Sequence, residues 1–231
     1  MTRARSMTVD ADLRLRNLGL VDYRTSLRAM QEFTAARTPR SGDEIWLVQH
    51  APVYTMGLKG RNGTRTNVHG IPLVYTDRGG DMTYHGPGQI IAYVLMDLRR
   101  RNLGPKNLVQ ALEQTIIELL ATRAIHGQRR PGAPGVYVDG QKIAALGLRV
   151  RHGASYHGIA LNVGMDLAPF SHIDPCGFPG QPVTQLADLG VRAGIDSIAE
   201  TLSEQLIHRL GYTAPVLSLN SEVSPRIKIH G

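Results

Sequence analysis

The feature that most constrains the fold is a hairpin signal in the middle of the chain. Two apolar, strand-like runs, residues 136–138 and 141–150, are separated only by Asp139-Gly140. An Asp-Gly pair supplies the positive φ angles that a two-residue type I′ turn requires. The sequence therefore predicts two antiparallel strands here, and a sheet that is not purely parallel.

Other segments add strands and helices in irregular order. Strand patterns cover residues 13–20, 44–49, 53–56, 71–75, 89–98 and 154–163, and helical spacing covers residues 21–37, 107–125 and 197–210. Ser197 and Glu200 have the spacing of a capping box for the last helix. Because strands and helices do not alternate strictly, we predict an α/β protein of the α+β type, with mixed or antiparallel sheets covered by helices. We expect one domain over residues 11–220, a disordered N-terminus at 1–10 and a C-terminal tail at 221–231.

Charge and cysteine content limit the classes of function. The formal charge of +7 suits an anionic partner, or else reflects arginines spread over a solvated surface. Cys176 is the single cysteine, which excludes an internal disulfide framework and indicates a reducing, cytoplasmic location. No apolar run is long enough for a membrane span. No helix-turn-helix, zinc or aromatic-basic pattern predicts nucleic-acid binding.

The segment Arg78–Gln89 (RGGDMTYHGPGQ) is the most informative run of the chain. Four glycines and five hydrogen-bonding side chains lie between two apolar strands. Such a run allows the backbone to approach a ligand closely, although glycine-rich turns without any ligand are common. It matches neither a phosphate loop nor a dinucleotide fingerprint.

Two further residues are candidates for chemistry. Cys176 lies in a proline- and glycine-rich run within a long loop at 164–185, where it is either a small buried apolar residue or a partly exposed nucleophile. Lys142 follows the Asp139-Gly140 turn and is either a solvated edge lysine or an inward-facing partner of a thiolate. The nine histidines show no zinc spacing, and we expect His85 and His172 to be hydrogen-bonding supports rather than ligands.

Four runs in this order, RGGDMTYHGPGQ, GQKIAALGLRV, YHGIALNV and IDPCGFPG, resemble the lipoyl(octanoyl) transferases, and the length and single cysteine suit a mycobacterial or related bacterial member. The resemblance covers residues 23–185. It implies the fold of the biotin and lipoate protein ligase catalytic domain, a large mixed sheet plus a smaller sheet flanked by helices. It also implies transfer of an octanoyl or lipoyl group from acyl carrier protein to a lysine of lipoyl domains in 2-oxoacid dehydrogenase complexes and of the glycine cleavage H protein. No cofactor, metal, nucleic acid or membrane is implied.

The resemblance also assigns residues. Cys176 matches the acyl-accepting nucleophile and Lys142 its catalytic partner. Backbone N–H groups of Leu146, Gly147 or Gly177 are candidates for holding the oxyanion. The positions that match substrate-binding residues of the family are Arg78, Gly79, Gly80, Asp81, Met82, Thr83, Tyr84, His85, Ala145, Leu146, Gly147, Gly158, Ile159 and Ala160.

Two other enzyme classes remain open. An ATP-dependent lipoate or biotin ligase would share the fold, but those ligases carry an Asn-Asp pair before the hairpin where this chain has Pro134-Gly135. A cysteine hydrolase using Cys176 and His85 would release free fatty acid without an acceptor.

Overall fold

A computed structural model describes residues 13–60, 62–173, 181–213 and 216–217. The predicted disordered N-terminus at 1–10 and the C-terminal tail at 221–231 lie outside these residues. So does the segment 174–180, which contains Cys176.

The larger of two sheets has seven strands and is mixed. Along the chain these strands are β1 (Leu13–Val21), β2 (Asp43–His50), β7 (Gln89–Leu95), β8 (Gly135–Val138), β9 (Gln141–Arg151), β10 (Ala154–Asn162) and β11 (Val216–Leu217). Their order in the sheet is β11-β1-β2-β7-β10-β9-β8. Only the pairs β11–β1 and β1–β2 are parallel. The predicted hairpin is β8–β9, and its turn residues Asp139 and Gly140 have φ angles of 47° and 78°, as a type I′ turn requires.

A smaller sheet of four strands lies beside it. Its members are β3 (Val53–Met56), β4 (Asn67–Val68), β5 (Ile71–Tyr75) and β6 (Met82–His85), in the order β4-β5-β3-β6. Strand β6 lies inside the glycine-rich segment, which the sequence pattern describes only as a connection between two strands. It pairs antiparallel with β3 over all four of its residues.

Three helices cover the large sheet from both faces, as predicted for this fold class. They are α1 (Tyr23–Ala35), α2 (Pro105–Ala121) and α3 (Ile195–Arg209). Alternation along β7 shows why both faces are covered: Ile90, Ala92 and Val94 pack in the core that includes α2 and α3, whereas Ile91, Tyr93 and Leu95 pack with Met30 of α1. None of the helices in the described ranges is long and apolar enough to cross a membrane.

The helices begin and end at slightly different residues from those that the sequence predicts. The third helix begins at Ile195 with Gly194 as its N-cap and no side-chain cap, so the predicted capping box from Ser197 to Glu200 is wrong. Ile195 packs against the core, and the helix therefore begins two residues before Ser197. Helix α2 begins at Pro105 rather than Asn107 and ends at Ala121 rather than Ile125. A short 3₁₀ helix, Ala168–His172, occupies part of the predicted loop at 164–185.

Candidate active site

A cleft between the two sheets gathers most of the predicted site. It encloses about 720 Å³ of space, part of it open to solvent. Its walls include every described residue assigned above except Gly79 and Tyr84, although these residues come from three separate parts of the chain. The members that the sequence predicted are Arg78, Gly80, Asp81, Met82, Thr83, His85, Lys142, Ala145, Leu146, Gly147, Gly158, Ile159 and Ala160.

Arg78 organises the glycine-rich wall of the cleft. Its guanidinium is buried and donates hydrogen bonds to the carbonyl oxygens of Thr55, Gly79 and Asp81 at 2.7, 3.0 and 2.8 Å, and to the Thr55 hydroxyl at 2.8 Å. The turn from Arg78 to Asp81 is thereby folded around its own side chain and fixed to β3. Arg78 shapes the wall through these bonds.

The glycines allow the two sheets to approach each other. The N–H of Gly79 donates to the carbonyl of Leu148 in β9 at 2.9 Å. A Cβ at Gly147 would lie 3.0 Å from the Gly79 oxygen and 3.1 Å from Cδ of Arg78, which is tighter than ordinary contact. A Cβ at Gly158 would overlap the carbonyl oxygen of Ala92 in the neighbouring strand. A larger residue at 147 would push the walls apart, and one at 158 would push β7 away from β10.

Lys142 points inward. It is only 3% exposed, and its Nζ lies 5.3 Å from the centre of the Tyr137 ring. The outer edge of β9 is covered at this point, because the Lys142 N–H donates to Pro182 O at 2.8 Å and the Thr184 N–H donates to Lys142 O at 3.0 Å. The alternative of a solvated edge lysine is therefore wrong.

Described residues on both sides of the segment that contains Cys176 lie at or beside the cleft. Ile173, the last described residue before it, is buried with Tyr54, Tyr84 and Phe170. Val183, shortly after it, pairs with Lys142 and lines the cleft, as Phe170 does. The segment 174–180, including the predicted donor Gly177, is outside the described residues.

Backbone direction decides where the two other candidate oxyanion donors point. The carbonyl of Leu148 faces Gly79, so the backbone groups of Leu148 point away from β10. Because these groups alternate sides along a strand, the N–H of Leu146 points the same way, toward β8, where the pairing of Gly135 with Ala145 directs it at the carbonyl of Pro134. The N–H of Gly147 points at its partner Gly158 in β10. Both N–H groups are thus directed at neighbouring strands of the sheet.

His85 belongs to a buried chain of hydrogen bonds. Its Nδ1–H donates to Gln89 Oε1 at 2.7 Å, Gln89 Nε2 donates to Asn162 Oδ1 at 2.9 Å, and Asn162 Nδ2 donates to Thr184 O at 2.9 Å. We assign the His85 tautomer from this network. The chain links β6 to the segment that covers Lys142, so His85 acts as a support, as predicted. Predicted His172 lies at the rim, where its ring stacks on His69 with centroids 4.1 Å apart.

Sequence reasoning missed a second polar network in the cleft. His157 Nε2 lies 3.0 Å from Asp77 Oδ1 and 3.4 Å from Thr76 Oγ1, and Tyr156 also donates to Asp77. Burial alone would raise the pKa of Asp77, but the hydrogen bonds from His157 and Tyr156 outweigh it and lower the pKa to about 2.

His157 is held in an uncommon backbone conformation. Its φ is 61°, within the left-handed region that a non-glycine residue rarely adopts inside a strand. His157 and Asn162 belong to the YHGIALNV run, so the family resemblance of that run could have identified them as site residues. The other missed lining residues, which carry no local signal, are Tyr23, Ile91, Tyr93, Phe170 and Val183.

Burial makes His85 a source of acid sensitivity. Burial, reinforced by the nearby His50, lowers the pKa of His85 to about 3, although its bond to Gln89 opposes this. As pH falls, His85 is therefore protonated at a higher pH in the unfolded chain than in the folded one. The stability that neutral His85 contributes is present above pH 6.5 and is lost as pH falls toward 3. At pH 5 we expect the free energy of unfolding to be lower than at pH 7.5 by about 2 kcal/mol.

Urea unfolding at pH 7.5, 6 and 5 measures this change. The variant His85→Asn should show a weaker pH dependence over this range, whereas the matched change at exposed His126 should leave it unaltered. An identical slope in wild type and His85→Asn would refute the assignment.

Within the described ranges, no group of three or more His, Cys, Asp or Glu side chains is arranged to hold a metal ion. The described part of the cleft instead offers a buried lysine, an apolar floor and a glycine-rich wall. This combination is suited to holding an acyl chain next to a nucleophile, and it defines the class as an acyl-handling α+β enzyme.

Comparison with known proteins identifies the family. Residues 22–207 match the model of the lipoyl protein ligase A/B catalytic domain, and the chain belongs to this family. An octanoyltransferase of Nitrosococcus oceani is 53% identical over 208 residues, covering 90% of this chain and 93% of the relative. An octanoyltransferase of Pseudomonas entomophila is 52% identical over 200 residues, covering 87% and 93%. The protein is an acyltransferase.

Solved structures confirm the predicted fold. Lipoate-protein ligase A bound with ATP has a TM-score of 0.71 at 16% identity and covers 90% of each chain. Biotin protein ligase from Aquifex aeolicus in complex with biotin and ATP has a TM-score of 0.54 at 12% identity, covering 86% of this chain and 70% of that one. At these identities the likeness concerns the fold alone.

Proposed function

We propose that the protein transfers an octanoyl or lipoyl group from acyl carrier protein to the ε-amine of a lysine on lipoyl domains, through a thioester on Cys176. The acceptors are the lipoyl domains of 2-oxoacid dehydrogenase complexes and the glycine cleavage H protein. The reaction is the first step of endogenous protein lipoylation and takes place in the cytoplasm, on one catalytic domain spanning residues 11–220.

One observation carries the mechanism. Lys142 is buried in the cleft, and its backbone bonds the segment that follows Cys176. Cys176 is three positions along the chain from Ile173, which packs with the cleft residue Phe170, so the covalent chain keeps the Cα of Cys176 within about 11 Å of that of Ile173. A thiol and a lysine near one apolar cleft form the dyad that acyl transfer through cysteine requires.

In the first half-reaction, the Cys176 thiolate attacks the thioester carbonyl of the donor. The positive charge of Lys142 stabilises the thiolate, and the new C–S bond creates a tetrahedral oxyanion. We assign stabilisation of that oxyanion to the N–H of Gly177, the residue after Cys176, and loss of such a donor costs about 3 kcal/mol. The bond to the carrier's sulfur then breaks and Lys142 gives its proton to that sulfur, so the carrier leaves as its thiol and Lys142 becomes neutral.

In the second half-reaction, the acceptor amine attacks octanoyl-Cys176. A C–N bond forms, Lys142 in its neutral form takes a proton from the attacking nitrogen, and the Cys176 thiolate is released. Exchange between thioesters is nearly isoenergetic, so neither half-reaction requires ATP.

The cleft also accounts for binding of the acyl chain. Ile91, Tyr93, Ile159 and Ala160 supply apolar surface on its floor. Burying about six methylenes at about 0.8 kcal/mol each contributes roughly 5 kcal/mol. One methylene more or less changes this binding free energy by about 0.8 kcal/mol, or roughly fourfold in affinity, so chain length is selected only coarsely.

Gly135 weighs against the ATP-dependent ligase. It has a φ of 131°, and a Cβ there would overlap the carbonyl oxygen of Ala144. An aspartate, as in the Asn-Asp pair of the ligases, does not fit this position without movement of the backbone. The relatives at 52–53% identity are octanoyltransferases, and this also supports the transferase.

Donor choice tests this proposal. With a purified lipoyl domain as acceptor, we expect octanoyl-acyl carrier protein to give octanoylated product without ATP, and free octanoate with ATP and magnesium to give none. A ligase would show the reverse pattern. Release of free octanoate when no acceptor is present, at a rate near that of transfer, would indicate the hydrolase instead.

A further inference from the structure

A second groove adjoins the cleft and has a separate character. It contacts the cleft through Gly80, Leu146 and Gly147, which line both. It encloses about 1140 Å³ of space, part of it open, between the Leu58–Gly60 3₁₀ turn, the start of α2 and the outer half of β9. Its walls are largely apolar and none of the groove's described lining residues is Asp or Glu.

The groove contains two of the few lysines of this chain. Of 26 basic residues only four are lysines, at positions 59, 106, 142 and 228. Lys142 lines the cleft, and Lys59 and Lys106 line the groove together with Arg149. Lysine is a compact positive charge that binds phosphate oxygens from variable directions. The groove therefore combines apolar walls with three positive charges at one end of an acyl-binding cleft.

The positions of these side chains are set by the fold. The Lys59 N–H donates to Gly80 O at 3.2 Å, which fixes Lys59 to the glycine-rich wall. Lys106 is the second residue of α2. Arg149 lines the outer half of β9, and its buried Nε makes no hydrogen bond within the described residues.

We propose that this groove binds the phosphopantetheine arm of the acyl donor, with its phosphate held by Lys59, Lys106 and Arg149. The inference rests on the proposed function, because it takes the donor to be an acyl carrier protein. The occupant is an apolar, amide-containing chain that ends in a phosphodiester, which matches the apolar walls and the unopposed positive charge.

The length of the phosphopantetheine arm fits the distance from Lys142 to the groove. About 13 bonds join the thioester sulfur to the phosphorus, and an extended chain covers about 3.5 Å per three bonds, or about 15 Å in all. Leu146 is four residues from Lys142 on β9, about 13 Å along the strand, and Leu148 is six residues away, about 20 Å. A thioester at Lys142 thus places the phosphate between these two residues, about 8 Å along the strand from the Cα of Arg149, a gap that an arginine side chain roughly spans.

Two minimal donors that differ only in the phosphate test the proposal. Octanoyl-pantetheine and octanoyl-4′-phosphopantetheine are incubated separately with the full-length protein, and the rate of the octanoyl mass increase on the protein is measured. For wild type we expect the phosphorylated donor to have the higher kcat/KM by about tenfold or more, as charge-assisted contacts to a partly exposed phosphate would give.

Variants then locate the effect. In Lys59→Gln/Lys106→Gln the ratio of the two rates should fall below about twofold, with intermediate ratios in the single variants. Arg28→Gln removes one positive charge, as each single variant does, at an exposed position of α1 and should keep the wild-type ratio. A wild-type ratio near one, or a ratio that the double variant leaves unchanged, would overturn the groove assignment while an adduct still formed. Absence of an adduct with both donors would overturn the acyl-enzyme proposal, and the groove assignment with it.

Discussion

Cys176→Ala is expected to lower the rate of transfer from octanoyl-acyl carrier protein to a lipoyl domain by at least about 10³-fold, because it removes the nucleophile through which the account routes every acyl group. The chain has no second cysteine that could take over. Because alanine is smaller and uncharged, folding should be retained, which far-UV circular dichroism and the urea midpoint would verify. Transfer by Cys176→Ala within tenfold of wild type would mean that the acceptor amine attacks the donor directly.

Lys142→Arg is expected to separate the two roles of the lysine. Arginine keeps the positive charge that stabilises the Cys176 thiolate but does not deprotonate, so it cannot accept the amine proton. Alkylation of Cys176 by iodoacetamide at pH 7 should therefore stay within a few-fold of wild type, while turnover falls by about 10²-fold or more, the usual contribution of a general base.

Lys142→Met is the matched comparison. It removes both the charge and the base, so both alkylation at pH 7 and turnover should fall. Full turnover in Lys142→Arg would show that another group takes the proton. Equal alkylation in all three proteins would show that Lys142 does not stabilise the thiolate.

Local chemistry made part of this fold predictable. The β8–β9 hairpin follows from two adjacent residues, Asp139 and Gly140, whose φ angles the turn requires. Strand β7 follows from a nearly continuous apolar run that is buried on both faces. The order of strands in the sheets could not be predicted from the sequence, because the parallel pairing of β1 with β2 and β11 depends on contacts between distant segments.

Features of the site that depend on distant contacts were less predictable. The direction of Lys142 is decided by residues 182–184, which lie some 40 positions away and cover the edge of β9. Strand β6 was hidden because the surrounding glycines mask its short alternating pattern. Tyr23 and Phe170 reach the cleft only through tertiary packing, and the left-handed conformation of His157 has no sequence signal in a residue that is not glycine.

The central claim is that Cys176 carries the acyl group between donor and acceptor. The most direct measurement is intact mass of the protein after brief incubation with octanoyl-acyl carrier protein, followed by peptide mapping and then by addition of a lipoyl domain. We predict one octanoyl group per chain, located on the peptide that contains Cys176, which disappears as the lipoyl domain gains the same mass. An adduct on another residue, or transfer to the lipoyl domain at the full rate without any adduct, would contradict the account.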